Sequence, residues 1–559
     1  MPRAELSLAR IGRLLGRKLP LEELTERLFA SKAQVEGGHG DTLEVEGTPD
    51  RLDLLTEAGL ALHLQGVLGL ASGRPPLGQA GPHDVRIEVD PSVDPLRPSI
   101  AAIVLDPPEG ETLDQDLLDE AVRFQELLHA TIGLDRRLAS LGIYPAERLR
   151  APIRYALEPI DRVRFVPLDE AAEVDAEAFF SGHPMAQRFG ALGRSGDRCL
   201  TLRDAGGAIL SLPPILNSRS HGEARPGDGR LLIESTGTRP ARVHDALGLL
   251  VLPFAARGWR AGPVPVARGA AKDPGTAIVA PRSARLTAGL LERLAGLKIP
   301  EAEVVDLLGR CRFDVHPERS AWLVEAAPWR ADLHAPVDIA EDVLLARGVR
   351  PDEAVVPPSW TRGGRSASAK FRYRVAELLL GLGLVPLYTP VLIPERVTVV
   401  VGRTDALAVT NPVSDQFARL RDSLLPSLVG VLERNVRHGY PQRCSEIGPV
   451  VRRMPGSESG AETRFHAALV LAEERAGFAD AAALVDYVMR SLGAVGVREP
   501  VTIPGTIPGR AAAVRLAGVP VAEIGEIAPA VLHEIRVPVP AVWAEWDLTA
   551  MEGLLSPEG

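Results

Sequence analysis

Three stretches rich in proline and glycine constrain the fold of this chain more than any other feature of its sequence. They occupy residues 73–82, 264–275 and 356–364, and proline and glycine are the residues that most often interrupt helices and strands. The chain has 559 residues, too many for one hydrophobic core, so we expect about three to five domains. The stretches predict modules at residues 1–80, 84–270, 280–355 and 365–559.

Apolar spacing within these modules predicts both helices and strands. Apolar residues three and four positions apart predict helices over residues 21–29, 55–70, 113–132, 243–256 and 369–382. Short apolar runs rich in β-branched residues predict strands over residues 85–89 and 99–105. The sequence therefore indicates a multidomain protein of the α+β class.

The composition is that of an ordinary soluble globular protein. Hydrophobic residues make up 45% of the chain and charged residues 24%. No run of about 18 apolar residues occurs and no hydrophobic signal core is present, so we expect a cytoplasmic protein without a membrane span. Cys199, Cys311 and Cys444 lie far apart, which predicts reduced structural thiols and excludes a zinc finger.

The formal net charge of −10 indicates that this chain alone is not a major nucleic-acid platform, because phosphate binding depends on clustered lysine and arginine side chains. One local basic patch is a candidate for such a contact. It comprises Arg362, Arg365, Lys370, Arg372 and Arg374. The alternative interpretation is a solvated linker followed by the start of a helix.

Four acidic residues of the third module have the spacing of a metal site. Pro336 suits the first turn of a helix, on which Asp338, Glu341 and Asp342 share one face. Asp332 can fold back towards them from the preceding loop. Hard oxygen ligands without a suitably spaced cysteine or histidine suit Mg²⁺. The alternative is a solvated acidic helix start that the helix dipole favours.

The same segment resembles the signature of the phenylalanyl-tRNA synthetase β subunit family. That family has an arginine two residues before its first aspartate, and Arg330 stands at this position here. The family's magnesium ligands are that aspartate and the residues six, nine and ten positions further on. The resemblance therefore implies as Mg²⁺ ligands Asp332, Asp338, Glu341 and Asp342. The family's usual Tyr-Gly after this helix is Arg347-Gly348 here, a departure outside the ligand set.

Further blocks carry the resemblance along nearly the whole chain in family order. They occupy residues 44–54, 59–66, 211–218, 234–238, 410–414, 420–426, 441–448, 508–512 and 525–529. The length matches the shorter archaeal and eukaryotic type of β subunit, because it leaves no room for the extra oligonucleotide-binding and anticodon-binding modules of the bacterial type.

The resemblance gives each predicted module a role. It implies an N-terminal α/β module at 1–80, an editing module at 84–270, a small magnesium-motif module at 280–355 and a C-terminal class II synthetase-like antiparallel sheet at 365–559. In the family this sheet has lost its catalytic residues and serves as a dimerisation scaffold. We therefore expect no residue of this chain to be catalytic for synthesis. Scaffold or subunit contacts rather than substrate clamps are expected at Arg419, Arg421 and Arg510.

The resemblance also implies partners. In the family the synthetic site lies on an α subunit, so we expect an α2β2 heterotetramer that uses ATP to attach phenylalanine to its tRNA. Mg²⁺ is the expected cofactor, structural in role. A hydrophobic pocket for phenylalanine rejects a substrate that merely adds a hydroxyl only about a hundredfold. Hydrolytic editing of mischarged tyrosine is therefore expected of the β subunit.

The resemblance places the editing pocket at Leu202, Ser211, Glu234 and Thr236, with Glu234 as the acceptor for the phenol of tyrosine. The archaeal-type pattern has aspartate at this last position, and the extra carbon of glutamate extends the carboxylate by about 1.5 Å. The alternative is that Ser211 and Thr236 satisfy strand ends and that Glu234 is solvated.

Two other classes of function stay open. A free-standing metal-dependent hydrolase would use the acidic cluster catalytically, although the sequence has no Walker-type phosphate loop, Gly-x-Ser-x-Gly elbow or His-Glu-x-x-His motif. A non-catalytic paralogue that binds tRNA or another protein would keep the fold and lack editing. The departures at Glu234 and Arg347 favour this paralogue over the hydrolase. His334, which lies among the carboxylates, is expected to be structural.

Overall fold

The chain forms two compact units, Met1–Val355 and Val356–Gly559. In this computed structural model the described residues are 1–29, 31–269, 271–273, 280–348, 350, 356 and 362–555. Sheets and helices occur in both units, so the prediction of a multidomain α+β protein is confirmed. Most of the predicted linker at 356–364 lies outside the described residues. Among the described residues, no helix is long and apolar enough to cross a bilayer.

The N-terminal part of the first unit is a small sheet covered by helices. Its strands are β1 (Arg3–Ser7), β2 (Ala33–His39) and β3 (Thr42–Gly47), which pair in the order β1-β3-β2. Its helices are α1 (Leu8–Leu15), α2 (Leu21–Phe29) and α3 (Glu57–Val67). Helix α3 packs very closely, because a Cβ at Gly59 would lie 1.8 Å from the carbonyl oxygen of Asp53.

The described residues of the next part of the chain form fifteen strands and five α-helices. The strands are β4 (Gly78–Gln79), β5 (Ile87–Val89), β6 (Ser99–Asp106), β7 (Ala139–Pro145), β8 (Ile153–Pro159), β9 (Arg164–Phe165), β10 (Val174–Asp175), β11 (Arg194–Ser195), β12 (Arg198–Arg203), β13 (Ile209–Leu212), β14 (Leu216–Asn217), β15 (Leu231–Gly237), β16 (Arg260–Pro263), β17 (Val266–Arg268) and β18 (Ala271–Asp273). The helices are α4 (Gln115–Ala130), α5 (Ala176–Gly182), α6 (Pro184–Phe189), α7 (Pro240–Leu250) and α8 (Leu252–Ala255).

These strands form two large sheets and a small one. A five-stranded sheet has the order β4-β16-β6-β15-β7, so β7 is an edge strand. An eight-stranded sheet has the order β14-β13-β12-β8-β5-β17-β18, with β11 paired to β12. Strands β9 and β10 pair with each other. The sequence predicts a linker over 264–275, but its described part contributes β17 and β18 to the larger sheet, because Val266 is buried in the core there.

One hydrophobic cluster joins the first two parts of the unit. It contains Leu60 and Leu64 of α3 together with Ile103 of β6, Leu250 of α7 and Phe254 of α8. The predicted helix over 243–256 is thus present as α7 followed by α8. The core of the N-terminal sheet is therefore continuous with the five-stranded sheet.

Residues 282–347 form a third small sheet with three helices. The strands β19 (Arg282–Thr287), β20 (Asp314–Glu318) and β21 (Ala321–Ala326) have the order β19-β21-β20. The helices are α9 (Ala288–Ala295), α10 (Glu301–Arg310) and α11 (Pro336–Arg347), and α11 starts at the proline that the sequence predicts. Their apolar faces enclose a separate core.

The second unit is built on one seven-stranded sheet. The strands of this sheet are β22 (Val385–Leu387), β25 (Gln442–Arg453), β26 (Ala461–Ala472), β27 (Val497–Pro500), β28 (Thr506–Leu516), β29 (Val519–Ile527) and β30 (Ala541–Asp547). Two short strands, β23 (Leu392–Ile393) and β24 (Arg419–Leu420), pair with each other outside it. The helices of the unit are α12 (Ala367–Gly381), α13 (Glu395–Val400), α14 (Leu425–Arg434), α15 (Phe478–Ser491), α16 (Pro529–Glu534) and α17 (Leu548–Leu555).

This sheet has the order β22-β25-β26-β30-β29-β28-β27, and all its pairs are antiparallel except β22 with β25. Successive residues of β26 point to opposite faces. Accordingly, Leu469 and Leu471 belong to one hydrophobic core, and Val470 belongs to a second. The sheet is therefore covered on both faces.

Candidate functional site

One candidate site of the first unit is a cavity of about 390 Å³ beside the edge strand β7. Helix α4, the turn after β13 and strand β14 form its other walls. Its apolar lining comprises Leu118, Val122, Leu141, Ile143, Leu168, Met185, Leu212 and Ile215. Its polar lining comprises Gln125, Glu126, His129, Arg136, Ser140, Ser211, Asn217, Glu223 and Glu234. A mostly apolar cavity of this size with a few polar groups is typical of a small-molecule site.

A buried chain of hydrogen bonds forms the polar floor of the cavity. Tyr144 donates to Glu234 Oε1, and the hydroxyls of Tyr144 and Ser211 are joined by a second hydrogen bond, both at 2.9 Å. Glu234 is 3% exposed, and its Oε2 has no hydrogen-bond partner among the described residues. Glu234 therefore contributes to the cavity floor a carboxylate whose second oxygen is buried and without a partner among the described residues.

Burial controls the charge of this carboxylate. It raises the pKa of Glu234 to about 7, although the hydrogen bond from Tyr144 and the positive charge of Arg97 each lower that pKa. The same burial raises the pKa of Tyr144 above its ordinary value, so this phenol stays protonated and donates. Glu234 is thus an anionic acceptor at pH values above about 7.

The structure brings two of the four expected pocket residues to the cavity and places the other two behind it. Ser211 and Glu234 line the cavity. Leu202 is the strand partner of Ser211 and is buried in the core that contains Tyr144. Thr236 is fully buried on the same strand as Glu234, and its Oγ1 accepts a hydrogen bond from Arg97 at 3.0 Å. The alternative of a solvated Glu234 is therefore wrong.

Arg97 organises the layer behind the cavity. Its guanidinium donates to the carbonyl oxygens of Arg136 and Thr236 at 2.9 and 2.6 Å and to Ser140 Oγ at 2.9 Å. Burial without a contacting carboxylate lowers the pKa of Arg97 to about 10. The side chain is still cationic at neutral pH, and its positive charge lowers the pKa of Glu234.

The mouth of the cavity is fixed by three charged or polar residues. The Leu141 N–H donates to His129 Nε2 at 2.9 Å, so the ring proton lies on Nδ1 and is donated to Glu126 at 3.1 Å. Arg136 pairs with Glu126 and also donates to the carbonyl oxygen of Ile215 at 2.9 Å. These contacts hold the turn after β13 against α4.

Sequence reasoning did not select Tyr144, Arg97 or Ser140. A tyrosine inside a strand that is otherwise apolar is a usable signal, because a buried phenol needs a hydrogen-bond partner. The sequence does not show which partner it finds, since Glu234 lies 90 residues away. Arg97 similarly reaches Thr236 over 139 residues.

Two of the four expected magnesium ligands share one buried arginine. Arg330 donates to both carboxylate oxygens of Asp332, at 2.9 and 2.7 Å, and to Asp342 Oδ2 at 2.5 Å. Arg51, which pairs with Asp53, has Nη1 3.8 Å from Asp342 Oδ1. Burial raises the pKa of Asp332, but the guanidinium of Arg330 outweighs this effect and lowers the pKa below its ordinary range.

The other two expected ligands have separate partners. Asp338 Oδ2 accepts the backbone N–H groups of His334 and Ala335, both at 2.7 Å, and so caps the start of α11. Glu341 Oε2 accepts from Lys32 Nζ at 2.7 Å. Asp338 therefore matches the alternative of an acidic helix start, and His334 contacts it through its backbone N–H.

The four carboxylates do not converge. Asp332, Asp338 and Glu341 open onto one cleft of about 720 Å³, whereas Asp342 faces a different cavity of about 80 Å³. Among the described residues, no three His, Cys, Asp or Glu side chains form a group that could hold a metal ion. Their oxygen chemistry suits Mg²⁺. In the present arrangement, cations and N–H groups of the chain itself contact each carboxylate, so metal binding would require these partners to be exchanged.

Three basic residues of the patch expected at 362–374 have partners within the second unit. The guanidiniums of Arg365 and Arg372 lie 4.1 Å from the ring centroids of Tyr373 and Phe465, and Arg374 donates to a carbonyl oxygen of α15. The expected patch at 362–374 is therefore partly engaged in packing.

Internal partners also hold the three arginines considered as clamps. Arg421 is fully buried against Glu446 at 2.8 Å. Arg419 donates to a backbone carbonyl at 3.1 Å, and Arg510 pairs with Glu526 at 2.7 Å.

Two protein families match consecutive parts of the chain. The family described as tRNA synthetase B5 domain matches residues 284–349. The family described as phenylalanyl tRNA synthetase beta chain CLM domain matches residues 353–548. The first match contains the acidic helix α11, and the second contains most of the seven-stranded sheet.

Whole-length relatives come from archaea. The phenylalanine–tRNA ligase beta subunit of Aeropyrum pernix is 31% identical over 559 residues, which cover 99% of each chain. That of Pyrococcus abyssi is 30% identical over 558 residues, covering 97% of this chain and 98% of its own. An N-terminal fragment of the phenylalanyl-tRNA synthetase beta-subunit from Pyrococcus horikoshii has a solved structure that is 25% identical, with a TM-score of 0.58, covering 62% of this chain and 100% of the fragment.

Proposed function

Because this chain belongs to the family of phenylalanine–tRNA ligase β subunits, we propose that it works with an α subunit, as an α2β2 heterotetramer, to charge phenylalanine tRNA. The α subunit would carry the ATP-dependent synthetic site. The present chain would provide assembly, tRNA positioning and hydrolytic editing of mischarged tyrosine. Membership of this family makes the chain a subunit of an aminoacyl-tRNA synthetase, whether or not it edits.

The observation that carries the editing proposal is the free Oε2 of Glu234 in the floor of an apolar cavity. The phenol of a tyrosyl ester would donate its proton to this oxygen. A phenylalanyl ester would fill the same apolar space but leave the buried carboxylate oxygen unpaired, at a cost of roughly 1–3 kcal/mol. The cavity would thus select tyrosine positively, as a site that corrects tyrosine errors must.

The reaction proposed for the bound ester is hydrolysis. The oxygen of a water molecule adds to the ester carbonyl carbon, the bond from that carbon to the ribose oxygen breaks, and a proton of the water passes to the ribose oxygen. Free tyrosine and uncharged tRNA result. The role of Glu234 is to bind and orient the phenol end, so we assign it no part in the proton transfer.

The second unit supports the scaffold part of the proposal. Arg421 is fully buried, and its guanidinium is bound to Glu446 and Thr389. A side chain committed to internal partners in this way is not available to a substrate. Synthesis is accordingly assigned to the α subunit.

Magnesium binding by Asp332, Asp338, Glu341 and Asp342 is a separate proposal. It is supported by the family resemblance and by the cleft that three of these carboxylates share. Binding requires Glu341 to release Lys32 and the other oxygens to turn from their present partners. No step of synthesis or editing in the proposal depends on the ion.

The test of editing is the deacylation of tyrosine from mischarged phenylalanine tRNA by the α/β assembly. We expect Glu234→Ala to reduce the rate strongly and Thr236→Val to reduce it less, because Thr236 acts only through the layer behind the cavity. Glu223→Gln is the matched control, since Glu223 also lines the cavity but pairs with Arg225 at 2.8 Å. A wild-type rate equal to spontaneous hydrolysis would remove the editing role and leave the scaffold role.

One observation favours the rival function of a non-catalytic scaffold that binds tRNA or protein. Tyr144 of the chain itself already donates to Oε1 of Glu234, so an internal phenol uses one of the two acceptor oxygens of this carboxylate. The rival predicts no deacylation by any form of the assembly, with unchanged charging of phenylalanine. The metal-dependent hydrolase is not favoured, because the described carboxylates form no metal group.

A further inference from the structure

Tyr144 joins the two residues of the cavity floor and is itself fully buried. Its Oη lies 2.9 Å from Ser211 Oγ and 2.9 Å from Glu234 Oε1. It belongs to the edge strand β7, whereas its two partners belong to β13 and β15. One phenol therefore ties together both large sheets at the cavity.

The direction of these hydrogen bonds follows from a count of protons. A tyrosine hydroxyl has one proton, and a carboxylate can only accept. Tyr144 must therefore donate to Glu234, and Ser211 must donate to Tyr144. The chain of donors runs from Ser211 through Tyr144 to Glu234 Oε1 and leaves Oε2 as the free acceptor.

Gly142 makes room for this arrangement. A Cβ at this position would lie 2.2 Å from Tyr144 Oη and 2.8 Å from Glu234 Oε1. Both distances are too short for non-bonded atoms, so any side chain at position 142 would displace the hydrogen bond. The backbone of β7 is thus shaped around the contact between Tyr144 and Glu234.

We propose that Tyr144 is a positioning residue of the tyrosine-specific site: it fixes the carboxylate of Glu234 through Oε1 and presents Oε2 alone to the phenol of the mischarged ester. This inference rests on the proposed editing function. Its consequence is that the specificity of the cavity depends on a residue that need not touch the substrate.

The electrostatics of the floor make the role measurable. The groups that act on Glu234 are Tyr144 and Arg97, which both lower its pKa against the opposing effect of burial. Other charged or titratable side chains of the cavity lining are Glu126, His129, Arg136 and Glu223. Loss of the Tyr144 hydroxyl removes one of the two opposing contributions, so the pKa of Glu234 should rise and its carboxylate should form only at higher pH.

The experiment compares Tyr144→Phe with Tyr155→Phe in the α/β assembly. Tyr155 is a matched control, because it is fully buried in the same core but donates its hydrogen bond to the carbonyl oxygen of Arg97 and not to Glu234. Both changes remove one buried hydroxyl, so both are expected to lower the melting temperature. Only Tyr144→Phe should alter recognition of tyrosine.

The readout is the rate of tyrosine release from phenylalanine tRNA as a function of pH. For Tyr144→Phe we expect the acid limb of the pH–rate profile to move upward by roughly one to two pH units. This is the pKa shift that corresponds to the loss of one hydrogen bond to a charged group. The effect should be mainly on kcat/KM at pH 7, and high pH should restore much of the rate. Tyr155→Phe should keep the wild-type pH profile.

The outcomes separate the inference from the function on which it rests. Wild-type deacylation with an unshifted Tyr144→Phe profile overturns the positioning role and leaves editing in place. A uniform rate loss at every pH, equal in both variants, also overturns it, because this is what a merely structural role predicts. No deacylation by the wild-type assembly overturns the editing function and the positioning role together.

Discussion

Arg421→Met is expected to destabilise the second unit strongly, because it leaves the carboxylate of Glu446 buried without a counter-charge. Both side chains are 0% exposed, and Arg421 Nη1 lies 2.8 Å from Glu446 Oε1. Thr389 would still donate to this carboxylate from its backbone N–H and its hydroxyl. Breaking one partner of a buried ion pair costs about 3–5 kcal/mol.

The assay is hydrogen exchange in the full chain, read on peptides from β25 and β26. Exchange of core amides reports the free energy of local opening, and a loss of about 3–5 kcal/mol corresponds to roughly 150- to 5,000-fold faster exchange. Arg443→Met is the matched control. Arg443 lies on the same strand as Glu446 but forms an exposed pair with Glu473, and such pairs contribute only about 0–1 kcal/mol.

Two results would refute this reasoning about Arg421. Equal exchange in Arg421→Met and Arg443→Met would mean that the buried pair does not support the sheet. Unchanged exchange combined with loss of aminoacylation by the α/β assembly would assign Arg421 to substrate binding after all. The double variant Arg421→Met/Glu446→Leu should recover much of the stability, because it removes both buried charges.

Three further predictions concern other parts of the molecule. The isolated chain should neither activate phenylalanine nor exchange pyrophosphate with ATP. Both activities should appear when the α subunit is added. Adenylate formation by the chain alone would contradict this prediction. Asp338→Ala combined with Glu341→Ala should lower the magnesium content of the assembly, and unchanged magnesium content, melting temperature and assembly would leave only an acidic helix start. Burial lowers the pKa of His466, but Asp547 and Glu545 outweigh it and raise that pKa. The stability that His466→Asn removes should therefore be largest below pH about 6.5 and should vanish as the pH rises through the folded pKa, as chemical denaturation at several pH values can show.

The sequence predicted local structure well because local structure depends on neighbouring residues. The helix expected over 113–132 is α4, and the one expected over 369–382 is α12. The strand expected over 99–105 is β6. Proline and glycine predicted linkers at 73–82 and 264–275, but β4 lies in the first of these stretches and β17 and β18 in the second. No local signal reveals the buried place that Val266 takes between two strands.

The candidate site was predictable only in part, because its contacts join distant residues. Ser211 and Glu234 do meet at one cavity, but the residue between them is Tyr144, which sequence reasoning passed over. Thr236 lies two residues after Glu234 on the same strand, as a pocket residue would, but its hydroxyl accepts a hydrogen bond from Arg97 behind the cavity. The partners of the acidic cluster were equally hidden.

The ion pair between Lys32 and Glu341 has a consequence for biosynthesis. The two residues are 309 positions apart, and ribosomes add about 5–20 residues per second. Lys32 is therefore synthesised roughly 15–60 s before Glu341. During that time the N-terminal sheet has no contact with helix α11, which carries Glu341. We therefore expect the order of synthesis, and not only the stability of the folded unit, to influence how this unit folds in the cell.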